Sequence, residues 1–450
     1  MKNKFTGLMA AGLSLVLLAG CMGKPDYTLR TAVPPKVTSY SGAYDRVAQI
    51  ENGSLSVSDR EVNEAYDALW DAESRYQEEL QTIREGAEEN VPDLVPFSAE
   101  TAQTLFLGRN ENTVYSPVSL YMALAMLEEA TGGSTRQQIA DLLNTEQFSA
   151  AGNALWRMTY QNGLGQTTPA NSLWVGEKYP VQPLFTQRLA DIYYADSFSV
   201  PMGTSAADTA MQAWLNKHTG NLLEKEVSQL STKQETALAL LSTLYFHHNW
   251  SEAFPASRTE NDLFTLVDGT IFSTPFMHDE GAGAWHQGEG YVSVDRHFQE
   301  GGKMRLVLPD EGILPQELLS KPGTVTDMLT AQQEQRSMIH WSVPKFDVSG
   351  SLELSNQLKA LGITDVFRQG KADFSPALGE VQATLDSVQQ AARVQIDENG
   401  CTAAAFTALM ADSTAMPPDS VLDFNLNRPF LFIILSDTGL PLLIGTVYEP

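Results

Sequence analysis

Residues Ile396 to Pro418 read IDENGCTAAAFTALMADSTAMPP. The stretch opens on an acidic turn ending in Gly400, runs through small uncharged residues and closes on Met416-Pro417-Pro418. From Cys401 to Ala411 it carries no charge. Surface loops are usually polar and rich in turn residues; this one is composed so that it can be buried. In a strand, successive side chains point to opposite faces. Cys401, Ala403, Ala405, Thr407, Leu409 and Ala411 would share one face, all small or apolar. Thr402, Ala404, Phe406, Ala408, Met410 and Asp412 would share the other, which holds the largest ring and the only charge. No proline withholds an N–H before Pro417. Ala, Leu and Met also favour helix, so the residues by themselves leave an Ala-rich helix over Thr402–Ala411 equally open.

The flanks break that tie through a resemblance. Ile396-Asp397-Glu398-Asn399-Gly400, the Ala run and Pro417-Pro418 are followed by Phe424, by Asn427-Arg428-Pro429-Phe430-Leu431-Phe432 and by the ending Gly445-Thr446-Val447-Tyr448-Glu449-Pro450. Upstream stand Tyr115-Ser116-Pro117-Val118-Ser119-Leu120 before MALAMLEEATGG, then Asn171-Ser172-Leu173-Trp174. Trp214 with His218-Thr219-Gly220-Asn221 comes next, then Leu244-Tyr245-Phe246 with Trp250 and Phe254. Met304 to Asp310, Val343-Pro344-Lys345-Phe346, and Leu358 to Phe367 with Ala372-Asp373-Phe374-Ser375 complete the series. Each motif is short, but in this order and spacing they resemble the serpin family over roughly residues 97–450.

The resemblance implies an α+β fold: a large central mixed β-sheet, further β-sheets, about nine helices and an exposed reactive-centre loop over about residues 398–418. It implies a serine protease inhibitor that acts as a suicide substrate and is not an enzyme. A serine protease attacks the loop and forms an acyl-enzyme. The freed arm then enters the central sheet and traps the protease in a covalent complex. Spacing from Gly400 and from Pro417-Pro418 places the scissile bond at Thr414-Ala415. The hinge is Glu398, Gly400, Cys401, Thr402, Ala403, Ala404, Ala405 and Thr407. Ser116, Ser119, Ser242, Gln389 and Trp250 fall where the sheet must open, with a hydrogen bond expected between Ser242 and Gln389. The family's usual Asn and His are replaced at those last two polar positions. Cys401 stands where Thr or Ser is usual, and Thr402 where Glu is common.

Small residues on both sides of Thr414-Ala415 suit a shallow specificity pocket, so the expected target is an elastase-like or subtilisin-like protease, with a cysteine protease as a further option. Between Arg393 and Arg428 there is no Lys or Arg, which disfavours a trypsin-like target. The alternative is a non-inhibitory serpin-fold binding protein whose loop is only a substrate. A third reading makes Cys401 a nucleophile, but no neighbouring His or Lys is there to lower its pKa.

Composition sets outer bounds. The 450 residues carry 29 Lys+Arg against 55 Asp+Glu, a net charge of −26, with 43% hydrophobic residues. That is enough apolar material for a sizeable core. The acidic balance speaks against a nucleic-acid partner, whose phosphates call for clustered Lys and Arg. The chain has none of the G-x-S-x-G, H-E-x-x-H, Walker or Rossmann patterns. His247-His248 is the one adjacent His pair, and on a strand the two would face opposite sides, so neither a metal nor a cofactor is expected.

The N-terminus reads as a leader. Lys2 and Lys4 precede an apolar run from Phe5 to Leu18, too short to span a bilayer. Leu18-Ala19-Gly20-Cys21 is similar to a bacterial lipobox, which implies cleavage before Cys21, lipidation of Cys21 and display on the extracellular face of the cell envelope; an ordinary secretory signal is the other reading. Acylation of Cys21 would leave Cys401 alone, so no intrachain disulfide is expected. Residues 21–57 read as a flexible tether. Residues 58–96 read as an acidic amphipathic helical extension, with Tyr66, Leu69, Tyr76, Leu80 and Ile83 at helical spacing. The domain proper follows over 97–450, expected to be monomeric.

Overall fold

The computed structural model describes residues 26–228, 230–331, 334–386, 388–401 and 420–450. Strands and helices are numbered in chain order. The first sheet contains β1 (Thr28–Arg30), β3 (Gln161–Asn162), β4 (Gln166–Gly176), β5 (Ala195–Val200), β6 (Leu238–Asn249), β12 (Phe346–Glu353), β13 (Gln389–Ile396) and β14 (Gly400–Cys401). Its order is β1-β5-β4-β6-β14-β13-β12, with β3 paired to β4. The second contains β2 (Thr113–Tyr115), β7 (Glu260–Thr265), β8 (Ile271–Gly288), β9 (Tyr291–His297), β10 (Lys303–Pro309), β11 (Gln335–Pro344), β15 (Val421–Asn425), β16 (Phe430–Leu435) and β17 (Pro441–Val447). Its order is β15-β11-β8-β9-β10-β16-β17-β2, with β7 on β8. Both sheets are mixed: β4 runs parallel to β5 and β11 to β15, while the long ladders are antiparallel.

Thirteen α-helices occur among the described residues. They are α1 (Ser41–Glu51), α2 (Asp59–Arg84), α3 (Leu94–Phe106), α4 (Pro117–Ala130), α5 (Gly133–Leu143), α6 (Phe148–Thr159), α7 (Pro183–Ile192), α8 (Ser205–His218), α9 (Glu224–Val227), α10 (Pro315–Ser320), α11 (Thr324–Thr330), α12 (Ser355–Ala360) and α13 (Ser375–Leu378). The number exceeds the nine expected because α1 and α2 precede the serpin-like region and several others are single turns. None of the described helices is long and apolar enough to cross a membrane.

Local chemistry explains the elements that position the site. Helix α4 is apolar on every side, as a helix buried all round must be, and its residues from Pro117 to Leu127 are buried. Ser116 caps it, its Oγ accepting from the Ser119 N–H at 3.2 Å, and Pro117 supplies a preset φ at the first helical position. Strand β16 is buried on both faces, and reads PheLeuPheIleIleLeu without alternation, as a doubly covered strand does. Strand β13 alternates instead: Gln390, Ala392, Val394 and Ile396 are buried against the main core, while Gln389, Ala391 and Arg393 face α8 and α9.

The upstream region departs from the expected tether. Residues 26–57 are docked on the domain: β1 pairs with β5, α1 packs along α2, and Val37 and Tyr40 are buried. The acidic helix does form, from Asp59 to Arg84, opened by a reciprocal capping box between Ser58 and Glu61. Tyr76, Leu80 and Ile83 enter the main core and Leu69 packs against it, but Tyr66 stays exposed. Gly86, with φ of +71°, turns the chain past the helix end. Pro96 lies in the first turn of α3, where the missing N–H has no helical partner to lose.

Candidate functional site: the hinge seat

Strands β6 and β13 are neighbours in the sheet, yet among the described residues they form no direct ladder. Only β14 joins them. Gly400 pairs with Asn249, and Cys401 with His248 on β6 and with Ile396 on β13. Lower down, residues of both strands line cavities of 20 and 10 Å³ on the α8–α9 side. Spaces of that size hold about a water molecule, so a further strand can enter only if β6 and β13 part.

The turn that delivers the chain to this seat is tightly held. Asp397 Oδ1 accepts from the Asn399 N–H at 2.8 Å and the Gly400 N–H at 3.3 Å, an Asx-type closure. Trp250 donates twice, its backbone N–H to the Asn399 carbonyl at 2.8 Å and its Nε1 to the Asp397 carbonyl at 3.1 Å. The Phe254 N–H donates to the Glu398 carbonyl at 2.8 Å. A Cβ on Gly400 would collide with the His248 carbonyl oxygen and stand 2.6 Å from Asn249 Cα, so only glycine fits against β6 here.

Glu398 is fixed by Lys345 Nζ at 2.6 Å and by the Thr259 hydroxyl at 2.7 Å. Burial opposes its charge, but these two partners outweigh that and hold the carboxyl below its ordinary range. Under Cys401 lies His248, buried, with Nε2 2.8 Å from the Thr167 hydroxyl. Burial first, then His247, pulls its pKa down to about 3, so the ring is neutral at pH 7 and lies between Phe246 and Phe298. Trp250 stacks on Phe298 with centroids 4.8 Å apart and planes 7° from parallel. Cys401 itself is 1% exposed, and its closeness adds to the burial that raises Tyr245.

The other sequence-derived residues divide. Ser116, Ser119, Ser242 and Trp250 are all buried. The expected Ser242–Gln389 hydrogen bond is absent and has to be corrected. Ser242 lies on the face of β6 that meets the main core, with Leu240 and Leu244, while Gln389 is on the opposite face of β13. Ser242 Oγ has no hydrogen-bond partner among the described residues. Gln390 makes the link instead, and to Ser116: its Oε1 accepts the Ser116 N–H at 2.8 Å and its Nε2 donates to the Ser116 carbonyl at 3.0 Å. Strand alternation was the signal that would have found it, since Val394 and Ile396 share the parity of Gln390. Thr402, Ala403, Ala404, Ala405, Thr407, Thr414 and Ala415, like Cys21, lie outside the described residues. His247 and His248 face opposite sides as expected, and no cluster suited to a metal ion occurs among the described residues.

The family described as serpin (serine protease inhibitor) matches residues 95–450. Serpin-Z1C of Triticum aestivum is 32% identical over 361 residues, covering 75% of this chain and 90% of its own length. Serpin-ZX of Arabidopsis thaliana is 27% identical over 369 residues, 76% of this chain and 93% of its own. Among solved structures, the thermophilic serpin tengpin in its native state superposes with a TM-score of 0.72 at 24% identity, over 79% of this chain and 94% of that one. Human thyroxine-binding globulin complexed with thyroxine does so at 0.69 and 21%, over 79% and 99%; at such identities these likenesses speak for the fold alone. The chain belongs to the serpin family, a family of serine protease inhibitors.

Proposed function

We propose that this serpin is a suicide-substrate inhibitor whose loop is cut at Thr414-Ala415, and whose arm from Thr402 onward enters the first sheet between β6 and β13. One observation carries the reading: Gly400 and Cys401 already stand as a two-residue strand between those two, hydrogen-bonded toward both. The arm's path therefore begins inside the sheet. Its composition suits the rest of the path, since every residue from Cys401 to Ala411 is uncharged and a buried strand tolerates no unpaired charge.

The target we infer is an elastase-like or subtilisin-like serine protease, because Thr414 and Ala415 are small and uncharged; a cysteine protease is the other candidate under the same acyl-enzyme chemistry. The protein would act as a monomer that becomes a covalent complex. By the lipobox-like run ending at Cys21, it would be displayed on a bacterial cell envelope through a lipid on that residue. Docking of residues 26–40 against the domain leaves only a short span to any such anchor.

The test is to mix the chain from Met22 onward with elastase, subtilisin, chymotrypsin and trypsin. A band that survives SDS, with mass spectrometry locating the cut at Thr414-Ala415, supports the inhibitor. Clean cleavage without a complex by every enzyme that cuts the loop favours the non-inhibitory reading.

A further inference from the structure

Strand β8 keeps β11 beside it from Phe276 to Trp285, but β9 accompanies it only from Trp285 to Gly288. Past Val294, β9 runs on through Asp295, Arg296 and His297 with β10 at its other edge. The two strands therefore splay apart and leave a cleft. The Ser251 N–H donates to the His297 carbonyl at 2.9 Å, which brings the chain after β6 to the rim. A cavity of 180 Å³ lies here, lined by both strands and by Ser251, Glu252, Arg336 and Trp341. A cavity of about 150 Å³ is enough to hold benzene.

The β8 wall reads Gly281-Ala282-Gly283-Ala284, so no side chain on it is longer than a methyl group. A Cβ built on Gly281 would have only Glu252 Oε2 within reach, 4.0 Å away. The space is therefore kept open by small residues on β8, and Trp341 adds an aromatic ring to it.

Arg296 is the buried polar group of this cavity that lacks partners. Its side chain is 7% exposed, with the guanidinium carbon 3.7 Å from the centroid of the Phe254 ring and 5.3 Å from that of Trp341. Among the described residues only Nη2 is bonded, to the Glu252 carbonyl at 2.6 Å and to Asp279 Oδ2 at 2.9 Å. Nε is buried without an acceptor. A guanidinium carries N–H donors on every nitrogen, and a buried donor left unpaired asks for an explanation. Burial outweighs the pull of Asp279 and Glu252 and lowers the guanidinium below its ordinary pKa, so its charge is under-compensated. Asp295 is no help, being taken up by Arg305 and Lys303. Glu252 and Arg336, both exposed, add one charge of each sign to the lining.

We propose that this cleft binds a small organic anion, a carboxylate carried on a flat apolar body. The carboxylate would accept from the donors that Arg296 leaves unused, in the planar pairing that guanidinium groups favour. The apolar body would lie along Gly281–Ala284 beside Trp341. Such a lining, mostly apolar with a few placed polar groups, is what small-molecule sites share.

The experiment titrates the chain from Met22 onward calorimetrically with benzoate and with indole-3-acetate. Benzamide and inorganic phosphate serve as the neutral and the bare-anion comparisons. The site predicts saturable one-to-one binding of at least one carboxylate, with a Kd in the roughly millimolar range or tighter, and benzamide and phosphate at least tenfold weaker. Arg296→Lys keeps the charge but loses the planar pairing, and should weaken the carboxylate at least tenfold. Gly281→Val fills the wall and leaves Arg296 in place; it should weaken binding as much with the melting temperature of the free protein unchanged, and it decides the matter should Arg296→Lys fail to fold. Binding of neither carboxylate overturns the proposal. Affinity that survives Gly281→Val within twofold also overturns it, by placing the ligand elsewhere. Benzamide held as tightly as benzoate would remove the ion pair, and phosphate held as tightly would remove the apolar body; either result overturns the assignment.

Discussion

Gln390 closes a two-bond ring on the peptide group of Ser116, accepting its N–H at 2.8 Å and donating to its carbonyl at 3.0 Å. The ring ties β13 to the residue that caps α4, and β13 would part from β6 in the proposed insertion. Ser116 is buried, so removing the amide leaves its N–H without a partner, while its carbonyl keeps the Leu120 N–H. Gln390→Ala should cost roughly 1–3 kcal/mol and hasten sheet opening, whereas Gln389→Ala should change stability by no more than about 0.5 kcal/mol. Paired melting curves of the two variants check this, and equal losses would remove Gln390 from its role.

Gly400→Ala tests the seat. The added methyl collides with the His248 carbonyl and with Asn249 Cα, both backbone atoms of β6 that cannot swing aside. Cys401 should leave the sheet, and Trp250, bonded to the Asn399 and Asp397 carbonyls, should report it as a shift in fluorescence. An unchanged Trp spectrum with native stability would show that the contact yields.

His248 gives the site an acid limb. Its folded pKa is pulled to about 3 by burial and by His247, below the roughly 6.5 of an unfolded His. Between those values the unfolded chain binds the extra proton. The contribution is therefore fully present above about pH 6.5 and is lost as pH falls toward 3, at no more than about 1.4 kcal/mol per pH unit. Glu398, held low by Lys345 and Thr259 against the opposing effect of burial, loses its own contribution as pH falls through its depressed folded-state value. Stability measured against pH should flatten between pH 6 and 4.5 in His248→Gln relative to the parent. Parallel curves would contradict the assignment.

A charge on the arm's inward parity should divert the reaction. Ala405→Asp would place a carboxylate inside the sheet, costing several kcal/mol if it stays ionised. The expected outcome is a loop cut at the same bond but with the ratio of covalent complex to cleaved product lowered at least tenfold on gels. Ala404→Asp, on the outward parity, should be much milder.

Much of this was legible in the chain. The motif series from Tyr115 to Pro450 defined the α+β fold; the uncharged run after Cys401 lies outside the described residues. Trp250, Ser116 and Ser119 are buried in the structure. What escaped was decided by tertiary partners. The choice between Gln389 and Gln390 turned on strand parity, which two adjacent glutamines conceal. The docking of residues 26–57 was invisible because it rests on isolated buried side chains, Val37 and Tyr40, within a Pro- and Ser-rich stretch that has no periodicity. Glu300 gave no signal at all, since a lone Glu in a turn acquires meaning only when Gly165, Tyr40 and Tyr76 meet it.

In the proposed mechanism the chain beyond Cys401 continues into the sheet after cleavage. The most direct test is a crystal structure of the protein cut at Thr414-Ala415. Residues 402–414 are expected as a full strand paired to β6 and β13, with Ala403, Ala405 and Thr407 on the buried face that Cys401 already occupies. A cleaved protein whose first sheet still holds only Gly400 and Cys401 between those strands would contradict it.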